Sequence, residues 1–405
     1  MLRVLRHRAF AVLWLGGLLS LVGDWMLITG IPLVVYQLTG STLALGAAVA
    51  ANALPRVLVG SVAGVFVDRW DRRRTMVVCD LLLGLGLLPL LVVRDARDLW
   101  LIALVLLWES SVVRFYQPAE GALLPRVVPD EELIAANALN GFSMSVARLA
   151  GPPLGALLVA LGGLSGVVLV DAMSFFIAAG CVVLARVQRH TPKSNGQHAL
   201  WREWLDGLLA VQRNRTARVL FAFIAITGVG EGLISTLFVP FATRVMHGDE
   251  LTFGALLSAQ AIGGVAGGVL LGRFGQRVSS VRLLGGSAVV FGFLDLAIFY
   301  SPLLTSQNLV PLTLMVLVGV PSAAIIASAM TLLQTGVGDE QRGRVFGAFF
   351  ATTASSGLIG TAIAGALGDV AGIVPLLTFQ GLGYVVAGVL VLSALKEARF
   401  AGASG

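Results

Sequence analysis

Charged residues are scarce in this sequence, and their scarcity is its most informative property. Asp, Glu, Lys and Arg together make up only 12% of the 405 residues, whereas hydrophobic residues make up 57%. The mean hydropathy is +0.90. A water-soluble protein of this size needs a much more polar exterior. We therefore predict that lipid surrounds most of the protein surface.

Cysteine and histidine are also rare, which limits the chemistry that is available. Cys79 and Cys181 lie in separate apolar runs, so no disulfide framework is predicted, and the four histidines show no metal-ligand spacing. The sequence has no Gly-x-x-x-x-Gly-Lys-Ser/Thr phosphate loop, which argues against ATP-driven transport. No extramembrane segment is long enough for a catalytic domain. We predict a protein that is not an enzyme and uses no cofactor or metal.

The apolar runs are about 20 residues long or longer, which is the length of a helix that crosses a bilayer. Barrel strands are about half as long, so helices are the predicted spanning structure. The fold class is therefore an all-α integral membrane protein. Twelve transmembrane helices are predicted, at about 10–37, 43–67, 75–93, 99–122, 138–161, 166–186, 217–246, 252–272, 283–301, 309–334, 345–368 and 374–395.

A long polar segment at 187–216 divides these helices into six and six. We expect residues 1–186 and 217–405 to form two pseudo-symmetric six-helix bundles, joined by a connector with an amphipathic surface helix near Trp201. Several landmarks recur at a nearly constant separation of about 207 positions, as internal repeats of transporters do. They are Gly23-Asp24 with Gly230-Glu231, Gly64-x-x-x-Asp68 with Gly268-x-x-x-Gly272, and Gly151 with Gly360.

The distribution of positive charge predicts the orientation of the chain. Most of the 28 Lys and Arg residues lie in one alternating set of connectors and at the termini. Only Arg94, Arg97 and Arg244 fall in the opposite set. This asymmetry follows the positive-inside rule and predicts that both termini are cytoplasmic. It also explains the net charge of +6 without a nucleic-acid partner.

The connector after the second predicted helix carries Gly64-x-x-x-Asp68-Arg69-x-x-Arg72-Arg73. This motif resembles the loop 2–3 signature of the major facilitator superfamily. Asp71, and stretches at 13–24, 32–41 and 118–139, resemble the bacterial branch of macrolide-efflux and enterobactin-exporter proteins. The resemblance covers almost the whole chain. It implies the major facilitator fold, a multi-pass protein of the bacterial inner membrane, and transport by alternating access.

The same resemblance implies a gating latch at this connector. In the family, the aspartate of this motif pairs across the interface of the two halves and stabilises the outward-facing state. The predicted latch residues here are Gly64, Asp68, Arg69, Arg72 and Arg73. The alternative is a solvated helix cap whose arginines anchor anionic lipid head groups.

Six ionisable residues fall near the middle of predicted spans: Asp24, Arg56, Glu109, Arg114, Arg148 and Glu231. An unpaired charge in hydrocarbon costs on the order of a few kcal/mol, so each must face a partner, water or the protein interior. We interpret them as candidates for proton coupling and transport. The alternative is a set of neutral pairs that join helices. Asp171 and Asp295 lie nearer the predicted outer ends, where we expect them to be hydrated.

Arg114-x-x-Gln117-Pro118 resembles the fourth-helix signature Arg-x-x-Gln-Gly of the family, with Pro118 in place of glycine. The resemblance implies that Arg114 takes part in proton coupling. A guanidinium favours the ionised form of a nearby carboxylate, so Asp24 is its first expected partner and Glu109 its second.

Gly151-Pro152-x-x-Gly155 resembles the antiporter signature that exporters of this family carry. The resemblance implies export. The alternative is an ordinary proline kink whose small residues allow close helix packing.

The favoured function is proton-coupled export of an amphipathic organic molecule, of the drug, macrolide or siderophore type. We expect a monomer whose partners are this substrate, protons and membrane lipids. A lipid or lysophospholipid transporter, or a solute importer, is the alternative, because Arg56, Arg114 and Arg148 could hold a phosphate or carboxylate. A non-transporting receptor or scaffold is least favoured, since the sequence contains no long extramembrane domain.

Overall fold

A computed structural model describes residues 2–59, 66–67, 70–185, 215–305, 307–336 and 339–395. Within these residues, ten helices are long and apolar enough to cross a membrane. They confirm the predicted all-α membrane fold. The predicted amphipathic helix near Trp201 lies outside the described residues.

We number the described helices in chain order. They are α1 Arg8–Thr39, α2 Thr42–Leu58, α3 Arg72–Leu87, α4 Leu99–Leu123, α5 Leu133–Leu184, α6 Arg215–Pro240, α7 Glu250–Phe274, α8 Ser280–Leu304, α9 Leu309–Gly336, α10 Asp339–Ala371 and α11 Ile373–Ala394. A 3₁₀ segment, Leu88–Val92, continues α3, and a π-helical segment, Phe241–Val245, continues α6.

The helix α5 combines two predicted spans. Its 52 residues are interrupted at Gly163, where φ is 59° and ψ is −153°. At 1.5 Å per residue, a 52-residue helix is about 78 Å long, more than twice the bilayer core of about 30 Å. We therefore describe a first arm, 133–162, and a second arm, 164–184. The first arm begins inside the predicted connector 125–137. The number of twelve spans stays a prediction, because α2 is described for only 17 residues.

The predicted break at Thr39-Gly40-Ser41 is confirmed. Gly40 ends α1 in the left-handed conformation, with φ 60°, and its N–H donates to the carbonyl of Tyr36. Ser41 then begins α2, because its side-chain oxygen accepts from the N–H groups of Leu43 and Ala44. The sharp turn thus follows from one glycine and one capping serine.

The helices belong to two compact units. The first comes from the ranges Met1–Gln197, Thr236–Ser258 and Thr361–Val370, and the second from His198–Ser235, Ala259–Gly360 and Ala371–Gly405. The first unit therefore includes two short segments of the later half of the chain, namely the end of α6 with the start of α7, and the end of α10.

Glycines set the closest helix contacts in each unit. In the first unit, α1 packs along both arms of α5, and a Cβ at Gly16 would lie 2.8 Å from Cβ of Cys181. In the second unit, α8 packs against α11, and a Cβ at Gly388 would lie 2.6 Å from the carbonyl oxygen of Gly285. Such contacts bring helix backbones together where the hydrophobic effect cannot, as is common in membranes.

Candidate functional site

Four acidic side chains lie close together inside the first unit. Asp24 of α1 is within electrostatic range of Asp80 of α3 and Glu109 of α4. Asp171, on the second arm of α5, is within range of Asp24 and Glu109. We refer to these four residues as the acid cluster. It contains the predicted residues Asp24 and Glu109, and two residues that the sequence analysis ranked lower or did not single out.

Gly23 makes room for Asp171. The Asp171 Oδ1 atom occupies the space into which any side chain at position 23 would project. The Ser174 hydroxyl donates to this same oxygen at 3.2 Å. Asp171 is 0% exposed, so our expectation that it is hydrated was wrong. The carboxyl group is instead held against α1, one residue from Asp24.

The acid cluster is poorly supplied with hydrogen-bond donors. Among the described residues, one carboxyl oxygen of each member is buried without a partner, namely Asp24 Oδ1, Asp80 Oδ2, Glu109 Oε2 and Asp171 Oδ2. A buried carboxylate without donors is unfavourable, and several of them close together repel one another. Binding a proton removes the charge. This arrangement is chemically suited to take up and release protons.

The structure does not pair Arg114 with Asp24. Among the described residues, Arg114 Nε has no hydrogen-bond partner and the two side chains form no ion pair. The charged neighbour of Arg114 is Arg56, which in turn lies within range of Glu109. Arg56 also donates from Nη2 to Asn52 Oδ1 at 3.2 Å. The first unit therefore places two adjacent cations beside the acid cluster, of which Arg56 is the one that faces an acid.

The glycines of the predicted antiporter motif lie directly on α1, next to Asp24. A Cβ at Gly151 would collide with Cβ of Trp25, and a Cβ at Gly155 would lie 2.8 Å from Met26 Cα. Pro152, between them, is buried. One turn earlier, the Arg148 guanidinium lies 5.9 Å from the ring centroid of Trp25. The motif thus fixes the contact between α5 and the part of α1 that carries the acid.

The second unit repeats this contact around Glu231. A Cβ at Gly360 of α10 would lie 3.0 Å from Gly232 Cα, just as Gly151 meets Trp25. A Cβ at Gly230 would lie 2.9 Å from Cγ of Gln380, just as Gly23 meets Asp171. The packing of the two units therefore matches the repeat that the sequence predicts.

The two units differ in how their polar groups are satisfied. In the second unit, the Tyr384 hydroxyl donates to Glu231 Oε1 at 2.5 Å, and Gln380 Nε2 donates to Asp295 Oδ2 at 3.0 Å. Asp295 is 3% exposed, so the expectation that it is hydrated was also wrong. Glu231 and Asp295 also lie within electrostatic range of each other, but each accepts a hydrogen bond from a neutral donor, whereas each acid of the first unit has a buried oxygen without a partner among the described residues.

Part of the predicted latch can be placed. Gly64, Asp68 and Arg69 lie outside the described residues. Arg72 Nη1 donates to the carbonyl of Ala122 at 2.9 Å. Arg73 donates to the carbonyls of Val182 and Val183 at 3.2 and 2.6 Å. Both arginines therefore cap the ends of neighbouring helices, while the latch itself stays a prediction. Gln117, of the fourth-helix motif, is exposed.

A second polar group lies where α1 ends. Arg244 Nη1 is 3.2 Å from Asp369 Oδ1, and Arg244 Nη2 donates to the carbonyl of Gly40. The Arg244 guanidinium also lies 4.9 Å from the ring centroid of Tyr36. The other oxygen of Asp369 accepts from the backbone N–H of Thr42 at 2.9 Å. We refer to Tyr36, Gly40, Thr42, Arg244 and Asp369 as the α1-end network.

Sequence reasoning missed Asp80 and the partners of Arg244. An acid eight residues inside an apolar helix was a usable signal for Asp80. Arg244 also stood out as one of three cations on the arginine-poor side of the predicted membrane. Its contacts with Asp369 and Gly40 join residues more than a hundred positions apart, and no spacing rule predicts them.

Comparisons with known proteins agree with this architecture. The structural alignment with a bacterial ferroportin homologue in its inward-facing state covers 96% of this chain and 98% of the homologue, with a TM-score of 0.75 and 16% identity. The alignment with the nucleoside transporter NupG, solved as a D323A mutant, covers 96% of this chain and 100% of the transporter, with a TM-score of 0.78 and 15% identity. At these identities the likeness establishes the fold alone.

Sequence relatives are closer. Enterobactin exporter EntS of Salmonella typhimurium is 28% identical over 405 aligned residues, which cover 97% of this chain and 94% of the exporter. Macrolide efflux protein A of Streptococcus pyogenes is 26% identical over 289 residues, which cover 70% of this chain and 71% of the efflux protein. The model of a family described as transmembrane secretion effector matches residues 2–401. The chain therefore belongs to the transmembrane secretion effector family and is a multi-pass membrane transporter of the major facilitator type.

Proposed function

We propose that this protein exports an amphipathic organic molecule in exchange for protons. The observation that carries the proposal is the acid cluster beside the glycine contact of α1 with α5. The Asp171 carboxyl group packs against Gly23, the residue before Asp24. Asp24 and Asp171 each have a carboxyl oxygen that lacks a partner among the described residues. Protons are the smallest cation that such a site can accept.

The difference between the two units supports protons as the coupling ion. At the position where the first unit has Asp171, the second has the neutral Gln380, and its acids receive hydrogen bonds from neutral donors. Asp171 accepts one hydrogen bond, from Ser174, but its other oxygen and one oxygen of Asp24 are buried without a partner among the described residues, and such a carboxylate gains more from a proton than one with donors. Proton uptake is therefore assigned to the first unit, chiefly to Asp24 and Asp171.

Arg56 provides a way to release the proton. It lies within electrostatic range of Glu109, a member of the acid cluster. A guanidinium stays charged and favours the ionised form of a neighbouring acid. We propose that a shift of α2 relative to α4 during transport changes this interaction, and with it the balance between bound and released protons.

The names of the relatives support the proposed direction of transport and substrate class. Proteins named for macrolide efflux and enterobactin export are similar to this chain over most of its length. The Gly151–Pro152–Gly155 contact beside Asp24 is consistent with the export role that the antiporter resemblance implies.

Transport in proteoliposomes with an imposed pH gradient tests the proposal. Wild-type protein should move a fluorescent macrolide or a catecholate siderophore against its gradient only while the pH gradient lasts. Asp24→Asn and Asp171→Asn should abolish this dependence, and Asp130→Asn, in an exposed loop, should not. Transport that survives collapse of the gradient contradicts proton coupling. Net movement of lysophospholipid instead of either compound supports the alternative, lipid-transporting function.

A further inference from the structure

An apolar groove opens on the second unit. It has a volume of about 460 Å³ and lies between the end of α7, the start of α8 and the middle of α9. Its walls are apolar and include Leu270, Phe274, Val278, Val290 and Pro321. Phe274, Val278 and Val290 are 45%, 43% and 52% exposed, so the groove faces outward from the unit.

Three arginines lie at one end of this groove. Arg282 is part of its lining. The guanidinium carbons of Arg273 and Arg277 lie 5.9 and 5.6 Å from the ring centroid of Phe274, which is also part of the lining. All three side chains are exposed. The groove therefore has an apolar body and a cationic end, at the junction of α7 and α8, where the distribution of Lys and Arg predicts the cytoplasmic membrane surface.

We propose that this groove binds an anionic phospholipid, with an acyl chain along the apolar walls and the phosphate at Arg273, Arg277 and Arg282. The volume is within the range of about 300–1,000 Å³ that is typical of small-molecule sites. Any lipid tail suits the apolar body, but three guanidinium groups at one end favour a headgroup with net negative charge. A zwitterionic headgroup such as phosphocholine brings a positively charged ammonium group close to the same three cations, and the repulsion disfavours its binding.

The corresponding loop of the first unit makes a contrast. There, Arg72 and Arg73 donate to the carbonyls of Ala122, Val182 and Val183 at the ends of neighbouring helices. These guanidinium groups already have acceptors, so they are less available to a headgroup. What distinguishes the second copy is the apolar groove that its arginines border, so we place lipid binding there.

Binding can be measured on purified protein in detergent, by native mass spectrometry and by thermal shift. The probes are phosphatidylglycerol and phosphatidylcholine with the same acyl chains. Phosphatidylglycerol should bind more tightly and raise the melting temperature. Each cation near a headgroup contributes about fivefold in affinity, so Arg277→Gln and Arg282→Gln should each weaken binding by about that factor. Arg94→Gln/Arg97→Gln, in an exposed loop of the first unit, is the matched control.

A second variant tests the apolar part of the site. Gly286 lines the groove, and a Cβ there would meet no atom within 4 Å, so Gly286→Leu fills the groove without disturbing the fold. Gly268 has equally open space but is not part of the lining, which makes Gly268→Leu its control. Gly286→Leu should lower the affinity for phosphatidylglycerol about tenfold or more, and Gly268→Leu should leave it unchanged.

Several results would overturn the proposal. Equal affinities for the two lipids would mean that the arginines do not select a headgroup. A glycerol phosphate without acyl chains that binds as well as the lipid would show that the groove holds no chain. Unchanged binding in Gly286→Leu would place the lipid elsewhere on the protein. None of these readouts depends on the transported substrate, so a failure here is separate from a failure of the proton-coupled export proposal.

Discussion

Arg244 and Asp369 form a salt bridge of 3.2 Å that joins the π-helical end of α6 to the last turns of α10. The same arginine reaches Gly40 and the same aspartate reaches Thr42, on either side of the turn between α1 and α2. The network therefore connects segments that the sequence assigns to opposite halves of the chain. We predict that these contacts stabilise this end of α1 and that alternating access requires them to break.

Arg244→Gln should favour the open form of this end. The side chains are 48% and 39% exposed, so the salt bridge itself contributes at most about 1 kcal/mol, which changes a two-state population about fivefold. Leu237 is fully buried against Gly368, which makes Leu237→Cys a reporter of opening. In a background without Cys79 and Cys181, its maleimide labelling should accelerate severalfold in Arg244→Gln.

Charge exchange provides the control for this prediction. Arg244→Asp/Asp369→Arg restores the ion pair but not the bond to the Gly40 carbonyl, so labelling should return part of the way to the wild-type rate. Labelling that is the same in wild type and Arg244→Gln would rule out a role for the network in closure.

Gly155→Leu should lower the stability of the protein and slow transport. A Cβ at this position would lie 2.8 Å from Met26 Cα, so α1 and α5 must separate. Overpacking of this kind costs about 1–3 kcal/mol. Gly141, on the same arm of α5, has no atom within 4 Å of its Cβ position, and Gly141→Leu is the control. Equal melting temperatures for the two variants would contradict the close contact.

Asp80→Asn should uncouple transport from the proton gradient without loss of substrate binding. Asp80 is 1% exposed, its Oδ2 has no partner among the described residues, and it lies within range of both Asp24 and Glu120. We expect proton-driven transport to fall by roughly tenfold or more. Substrate affinity, measured by fluorescence quenching, should stay within about twofold. A large loss of affinity instead would place Asp80 in the substrate site.

Asp249 should make the start of α7 sensitive to acid. The Thr252 hydroxyl and backbone N–H donate to Asp249 Oδ1 at 2.7 and 2.8 Å, and these bonds lower the pKa of Asp249. A lowered pKa means that the carboxylate stabilises the fold above its ordinary pKa of about 3.9 and stops doing so as pH falls through the lowered value.

The test compares melting temperatures at two pH values. At neutral pH, Asp249→Ala should lower stability by about 1 kcal/mol, as expected for a lost helix cap. As the pH falls through the lowered pKa of Asp249, the melting temperatures of wild type and variant should converge. Glu131→Ala, in an exposed loop, should show no such convergence. A difference that is constant with pH would mean that the charge of Asp249 is irrelevant to the cap.

Local features of the fold were predictable from the sequence. Hydropathy alone located the membrane helices, and the Thr39-Gly40-Ser41 break followed from the conformational freedom of glycine and the capping ability of serine. The repeat was also predictable, and the packing of Gly151 and Gly360 on α1 and α6 agrees with it.

The surroundings of the charged residues were not predictable in the same way. Depth along a helix can be counted from sequence, but rotation about the helix axis and the identity of the facing residue cannot. Asp171 was placed near water by its depth, yet it is buried because Gly23 on another helix leaves space for it. Arg114 was matched with Asp24 by family pattern, yet its charged neighbour is Arg56.

The contact between Gly23 and Asp171 also constrains how this protein can evolve. Any residue larger than glycine at position 23 would occupy the space of the Asp171 carboxyl group, so the two positions can change only together. In the later half of the chain, the corresponding glycine, Gly230, faces Gln380 where Gly23 faces an acid. Among diverging descendants, we therefore expect some sequences to retain glycine at position 23 after Asp171 has been replaced. We expect no sequence to replace the glycine while it retains Asp171.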